Sequence, residues 1–208
     1  MQKYDGIIFD LDGTLWDTVE AVTASWNDAL RYVGLKNELT VEELSKYMGL
    51  VLEQILDNVL PNATESQKAR LREQITAPQN QFRTHGTGKL YDGVEDTLKK
   101  LKEKYKIFLV SNCGIEYMNA FFDSHGLKKY FDDYECAERT GKTKGQNIRL
   151  IAKRNNLKAP VYVGDTQFDY DATVEAEVPF IFAKYGFGEV ENAEISVDSF
   201  GQLAEILN

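Results

Sequence analysis

The stretch IIFDLDGTL, residues 7–15, runs three apolar residues straight into two carboxylates one residue apart, Asp10 and Asp12. The apolar run reads as a buried strand. An aspartate pair at its end carries repulsion unless a positive charge sits beside it, so the pair asks for a cation. Gly13 and Thr14 follow at once. The backbone can turn sharply there and present its N–H groups, which makes a cation-binding, anion-cradling turn.

Asp10 reads as a nucleophile: a carboxylate attacking phosphorus forms an acyl phosphate that water later hydrolyses, dividing one hard displacement into two easier ones. Asp12 can protonate the leaving oxygen and then activate water, the two tasks of one general acid/base group. A substrate phosphate adds negative charge, so the chemistry requires a divalent metal and a lysine. Asp165, in VYVGDTQFD, is the further metal ligand, and Asp169, four residues on, can orient a metal-bound water. Oxygen ligands of this kind suit Mg2+, held by Asp10, the backbone carbonyl of Asp12 and Asp165. Ser111 and Asn112 end another apolar run, where a hydroxyl and free N–H groups can hold phosphate oxygens. Lys144, in TGKTKGQNI, supplies the positive charge, with Lys142 as the alternative donor.

These residues resemble the haloacid dehalogenase superfamily, in its phosphatase branch with a helical cap inserted after the first motif. Asp10 and Asp12 in DLDGTL are similar to the first motif, Ser111 in VSN to the second, Lys144 to the third, and Asp165 and Asp169 in GDTQFD to the fourth. Their order and gaps also match, so the resemblance covers nearly the whole chain. The cap and the YGFG segment, residues 185–188, look closest to phosphoglycolate phosphatase-like hydrolases. One departure stands out: many relatives carry Lys-Pro at the third motif, whereas Lys144 precedes Gly145 here. The resemblance implies a Mg2+-dependent phosphomonoester hydrolase whose catalytic residues are Asp10, Asp12, Ser111 and Lys144. Phosphate would be held by Ser111, Asn112 and Lys144, and metal by Asp10, Asp12, Asp165 and Asp169.

The elements that must position these residues follow from periodicity. Four further apolar runs end near polar or glycine signals: KIFLVSN, YECAE, VYVGD and PFIFA. Helical patterns separate most of them, such as Val94, Leu98, Leu101 and Tyr105 after Asp92, a candidate N-cap, and later Ile148 and Ile151. Strands alternating with helices predict an α/β fold with a doubly wound parallel sheet, a Rossmann-like core, whose ligands gather at the strands' carboxyl ends. Between the first two runs lies a helical insert of about 70 residues. Its first helix is read from the stripe Trp16, Val19, Val22, Trp26, Leu30 and Val33, and further helices over roughly 41–59 and 64–82. The expected organisation is a core of residues 1–15 and 88–208 with a helical cap domain of 16–87. Gly86, Gly88 and Gly93 would supply hinge freedom.

With 208 residues and 43% hydrophobic content, the chain can bury a sizeable core. A net charge of −9 argues against nucleic-acid backbone binding. No apolar run reaches the roughly 18 residues that span a bilayer, and no signal segment is evident, so a soluble, cytoplasmic protein with no membrane partner is expected. Cys113 and Cys136 show no disulfide or zinc spacing. Cys113 reads as a structural thiol, His85 and His125 as isolated surface or loop residues, and the lysines of 99–106 as a solvated helix face.

The leading function is therefore a phosphatase acting on a small phosphorylated metabolite through an aspartyl-phosphate, as monomer or homodimer. A phosphosugar mutase would use the same pair but pass the phosphoryl group to a second hydroxyl. A phospho-accepting signalling module would also combine acids, a hydroxyl and a lysine, but the acid at plus two and the large insert oppose it. Selectivity would come from cap side chains facing Asp10, among them Trp16, Asn27 or Tyr47.

Overall fold

A computed structural model describes residues 3–36, 38–77 and 86–207. The chain begins with β1 (Gly6–Phe9) and a short β2 (Trp16–Asp17), followed by the helices α1 (Val19–Tyr32), α2 (Val41–Ser45), α3 (Leu52–Val59) and α4 (Glu65–Thr76). It returns through β3 (Lys89–Leu90) and then alternates: α5 (Val94–Lys102), β4 (Lys106–Ser111), α6 (Ile115–His125), β5 (Asp133–Cys136), α7 (Ala137–Thr140) and α8 (Lys144–Arg154). The last part holds β6 (Pro160–Gly164), α9 (Gln167–Ala176), β7 (Phe180–Ala183), β8 (Ser196–Val197) and α10 (Leu203–Ile206).

Six strands form one sheet in the order β5-β4-β1-β6-β7-β8, every pairing parallel. Alternate side chains leave a strand on opposite faces, and here both faces are apolar. Ile7, Phe9, Ile107, Leu109, Val161 and Val163 pack with Leu98 and Leu101 of α5 and Met118, Phe121 and Phe122 of α6. Ile8, Phe108, Val110 and Tyr162 face the other way, onto Ile148 and Ile151 of α8 and Ala172 and Ala176 of α9. This is the doubly wound α/β sandwich that the sequence predicts. The chain moves from β1 outward to β4 and β5, then crosses back to β6 on the other side. The order reverses beside β1, and strand carboxyl ends at such a switch point form a crevice.

The helices between β2 and β3 have their own apolar cluster, built from Trp26, Leu30, Leu44, Leu56 and Leu71. They leave and return through β2 and β3, an antiparallel two-stranded stem pairing Trp16 with Leu90 and Asp17 with Lys89. Several boundaries differ from the sequence reading. Trp16 lies in this stem, fully buried with the core rather than on α1, because pairing with Leu90 fixes it in extended backbone. The helix read over 41–59 breaks into α2 and α3 around Gly49, whose φ of +91° lies in the left-handed region. α4 ends at Thr76, and the rest of its expected span, with His85, lies outside the described residues. Gly93, at φ +76°, rather than Asp92, precedes α5. The two-residue β8, too short for a periodic signal, extends the sheet edge. Among the described residues, no helix is long and apolar enough to cross a membrane.

Candidate active site

The carboxyl ends of β1, β4 and β6 and the amino ends of α8 and α9 bring the predicted acids and lysine to one place. Asp10 directly follows β1, its N–H donating to the Val163 carbonyl at 2.9 Å. The turn behind it closes through Thr14 and Leu15 N–H groups on the Leu11 carbonyl. Gly13 sits at φ +78°, and a Cβ there would come within 1.9 Å of Asp165 Oδ2. Only glycine lets the turn pass this close to the carboxylate.

Lys144 is the first residue of α8, after a capping box in which Thr143 accepts from the Gln146 N–H. The side chain is buried and donates to Asp10 Oδ1 at 2.8 Å and to Asp169 Oδ1 at 2.7 Å. Lys142 is exposed in the loop before the helix. Burial pulls the Lys144 ammonium toward its neutral form, but the paired Asp10 and Asp169 outweigh this and hold its pKa above the ordinary lysine range.

Asp169 occupies the first turn of α9, where Thr166 forms the reciprocal cap. Asp169 Oδ2 accepts from the N–H groups of Asp165 and Thr166 and from the Thr166 hydroxyl at 2.7 Å. One oxygen therefore closes the cap while the other orients Lys144. Asp165, fully buried, accepts at Oδ1 from the Thr14 hydroxyl at 3.2 Å and at Oδ2 from the Phe187 N–H at 2.8 Å. The YGFG segment thus wraps the acid. A Cβ on Gly186 would meet Asp165 Cβ at 2.3 Å, and the Tyr185 hydroxyl donates to the Thr14 carbonyl at 2.8 Å.

Asp12 is buried at 8% exposure and accepts at Oδ1 from the Thr18 hydroxyl at 2.8 Å and the Tyr117 hydroxyl at 2.5 Å. Ser111 is buried at the end of β4, its hydroxyl accepting from the Cys113 N–H at 3.3 Å. Asn112 turns its side chain to the helical insert and donates to the Gly49 carbonyl at 2.8 Å. Burial pushes the Cys113 thiol well up, which fits a structural rather than a nucleophilic role. His125 is half-buried at the end of α6, its ring 5.8 Å from that of Trp16 in an edge contact, rather than on a free surface.

Burial raises the Asp10 carboxyl to about 7 against the pull of Lys144, and raises Asp12 to about 6 against its two hydroxyl donors. Burial, with Asp169 and Asp10 beside it, also raises Asp165. Four buried carboxylates thus face one lysine. Asp10, Asp165 and Asp169 each offer an oxygen, all within 4.8 Å of one another. The donors are hard oxygens and the charge imbalance is negative, so the residues fit a divalent cation of the Mg2+ class. The sequence reading assigned no side-chain role to Thr14, Thr18, Tyr117 or Thr166, and missed the Phe187 N–H and the Tyr162 hydroxyl, which donates to Asp169 Oδ1 at 3.4 Å. Only the capping pattern of Thr166 with Asp169 was open to detection.

A family model for haloacid dehalogenase-like hydrolases matches residues 7–183. The phosphoglycolate phosphatase of Photobacterium profundum is 24% identical over 226 aligned positions, covering 100% of this chain and 98% of that protein. Among solved structures, that of a predicted phosphatase from Clostridium acetobutylicum superposes with a TM-score of 0.84 at 26% identity, covering 98% of each chain. That of a predicted phosphoglycolate phosphatase from Haemophilus somnus reaches 0.90 at 20% identity over 100% of both chains, a likeness of fold. With the acids and lysine of the family's motifs gathered in one crevice, the chain belongs to the haloacid dehalogenase-like hydrolases and is a phosphatase of that family.

Proposed function

We propose that this phosphatase hydrolyses a small phosphorylated metabolite through an aspartyl-phosphate on Asp10, with Mg2+ as cofactor. The observation that carries the reading is Asp10, buried at a strand end with Oδ1 held by Lys144 and two further carboxylates beside it. An oxygen of Asp10 attacks phosphorus and the bond to the leaving oxygen breaks. Asp12, with a pKa of about 6, gives that oxygen a proton and then takes one from the water that cleaves the acyl phosphate. A value near neutrality suits a group that must act first as acid and then as base. Lys144 balances charge on the phosphoryl group while Ser111 and the N–H groups after β4 cradle its oxygens. Mg2+, held by Asp10, the Asp12 carbonyl and Asp165 with Asp169 behind them, would draw the phosphate and the attacking carboxylate together against their repulsion.

The insert of residues 16–87 serves as the cap. Its Gly49 loop meets Asn112 directly after β4, so side chains near that loop face the leaving group. The named relatives make 2-phosphoglycolate the first substrate to test. The experiment is phosphate release across a panel of phosphorylated metabolites, with Mg2+ and with chelator. Release of free phosphate, lost on chelation, is expected. Release of none from any phosphomonoester in Mg2+, an isomeric phosphosugar as the product, or full activity without metal would overturn the proposal.

A further inference from the structure

The two oxygens of Asp12 have unequal surroundings. Thr18 Oγ1 and the Tyr117 hydroxyl both lie on Oδ1, at 2.8 and 2.5 Å, and they lie 2.8 Å from each other. Thr18 stands at the N-cap of α1, where a threonine hydroxyl ordinarily accepts from a backbone N–H of the first turn. Here it makes no cap bond and turns to Asp12 instead. Tyr117 comes from α6, on the core side of the site. Its ring packs 5.3 Å from that of Trp16, a contact phenylalanine would make equally well. Packing therefore accounts for the ring of Tyr117 and helix capping does not account for the hydroxyl of Thr18; what the two hydroxyls share is Oδ1.

We infer that Tyr117 and Thr18 are positioning residues for Asp12, which hold Oδ1 as an acceptor and so assign the transferable proton to Oδ2. A carboxylic oxygen that accepts from two hydroxyls has its lone pairs engaged, and protonating it would displace a donor. The proton then resides on the other oxygen, in a plane fixed by one group from the core and one from the foot of the helical insert. This rests on the assignment of Asp12 as acid and base in the proposed reaction, and adds which oxygen carries the proton and what fixes it.

The test compares leaving groups. A nitrophenolate departs without a proton, whereas an alkoxide requires one, so only alkyl phosphates depend on the placing of the Asp12 proton. The quantity to read is kcat/KM, which covers the reaction only through departure of the leaving group. Tyr117→Phe keeps the ring against Trp16, and Thr18→Val keeps the shape of threonine without its hydroxyl. Each is expected to lower kcat/KM for an alkyl phosphate by about tenfold and that for p-nitrophenyl phosphate by no more than about twofold, the scale of one charge-assisted hydrogen bond. Thr18→Ser, which restores a hydroxyl, is expected to recover the alkyl rate, with melting temperatures checking that each variant folds. Equal losses on both substrates, no loss on either, or a Thr18→Ser variant as impaired as Thr18→Val would overturn the inference. If Tyr117→Phe fails to fold, the threonine pair alone decides it. The alkyl phosphate used is one that the wild-type protein hydrolyses in the metabolite panel, and a panel that yields none would instead overturn the phosphatase mechanism on which the inference rests.

Discussion

Lys144 is the residue on which the electrostatics of the site turn. It is the buried cation between Asp10 and Asp169, and removing it leaves their carboxylates desolvated without it. Loss of one partner from such a pair costs about 2–5 kcal/mol, which is roughly 30-fold to several thousandfold in rate if the contact belongs to the transition state. Lys144→Ala should therefore nearly silence turnover, while Lys142→Ala, changing an exposed charge, should stay within about twofold of wild type. A collapse of kcat/KM in Lys142→Ala with Lys144→Ala near normal would reverse the assignment. The raised acids predict a pH response as well. Asp10 at about 7 and Asp12 at about 6 bind protons more tightly than at their ordinary 3.8. Their contribution to stability is full below the unfolded value and is lost as pH rises through 6 to 7. The metal-free protein should melt at a lower temperature at about pH 8 than at about pH 5, and Mg2+ should raise the melting temperature more at the higher pH. A metal-free melting temperature that climbs over this range would contradict the account. The acids and the lysine were legible because their motifs are short and ordered. The hydroxyls around them were not: Tyr117 is 105 residues from Asp12 and Thr14 is 151 from Asp165, and neither pairing has a local pattern.

At the scale of elements, the stem of β2 and β3 joins the helical insert to the sheet. Gly88 precedes β3 at φ +71°, and a Cβ there would lie 2.6 Å from the Asp17 carbonyl and 2.8 Å from both Thr18 Cγ2 and Trp16 Nε1. Backbone conformation and space both demand glycine at this position, where the sequence alone suggests hinge freedom. Gly88→Ala should destabilise the protein by about 1–3 kcal/mol, measured by denaturant unfolding, and an unchanged midpoint would show that the stem tolerates a displacement of that size. Four of the five principal strands were legible as short apolar runs, because both faces of the sheet are covered, whereas β5, Asp133–Cys136, carries two acids and gave the weakest signal. The stem was not. Its strands are two residues long, and Trp16 falls in phase with the apolar stripe of α1, so helical periodicity absorbed a residue that pairing with Leu90 holds extended.

For the molecule as a whole, the reversal of strand order beside β1 is what turns distant segments into one site. Lys144 is 134 residues from Asp10 and meets it because β6 crosses back to the side of β1 opposite β4, bringing α8 and α9 over the same strand end. The helical insert then meets the core at Asn112 and Gly49, above that crevice. The architecture suits the one chemical event proposed for it, attack by Asp10 on phosphorus. Asp10→Asn preserves the shape of the side chain and removes the charge of the attacking oxygen. The most direct measurement is phosphate release by this variant, made alongside its far-UV circular dichroism. The account expects a folded protein with no turnover above background; a folded Asp10→Asn variant releasing phosphate at a rate near wild type would contradict it.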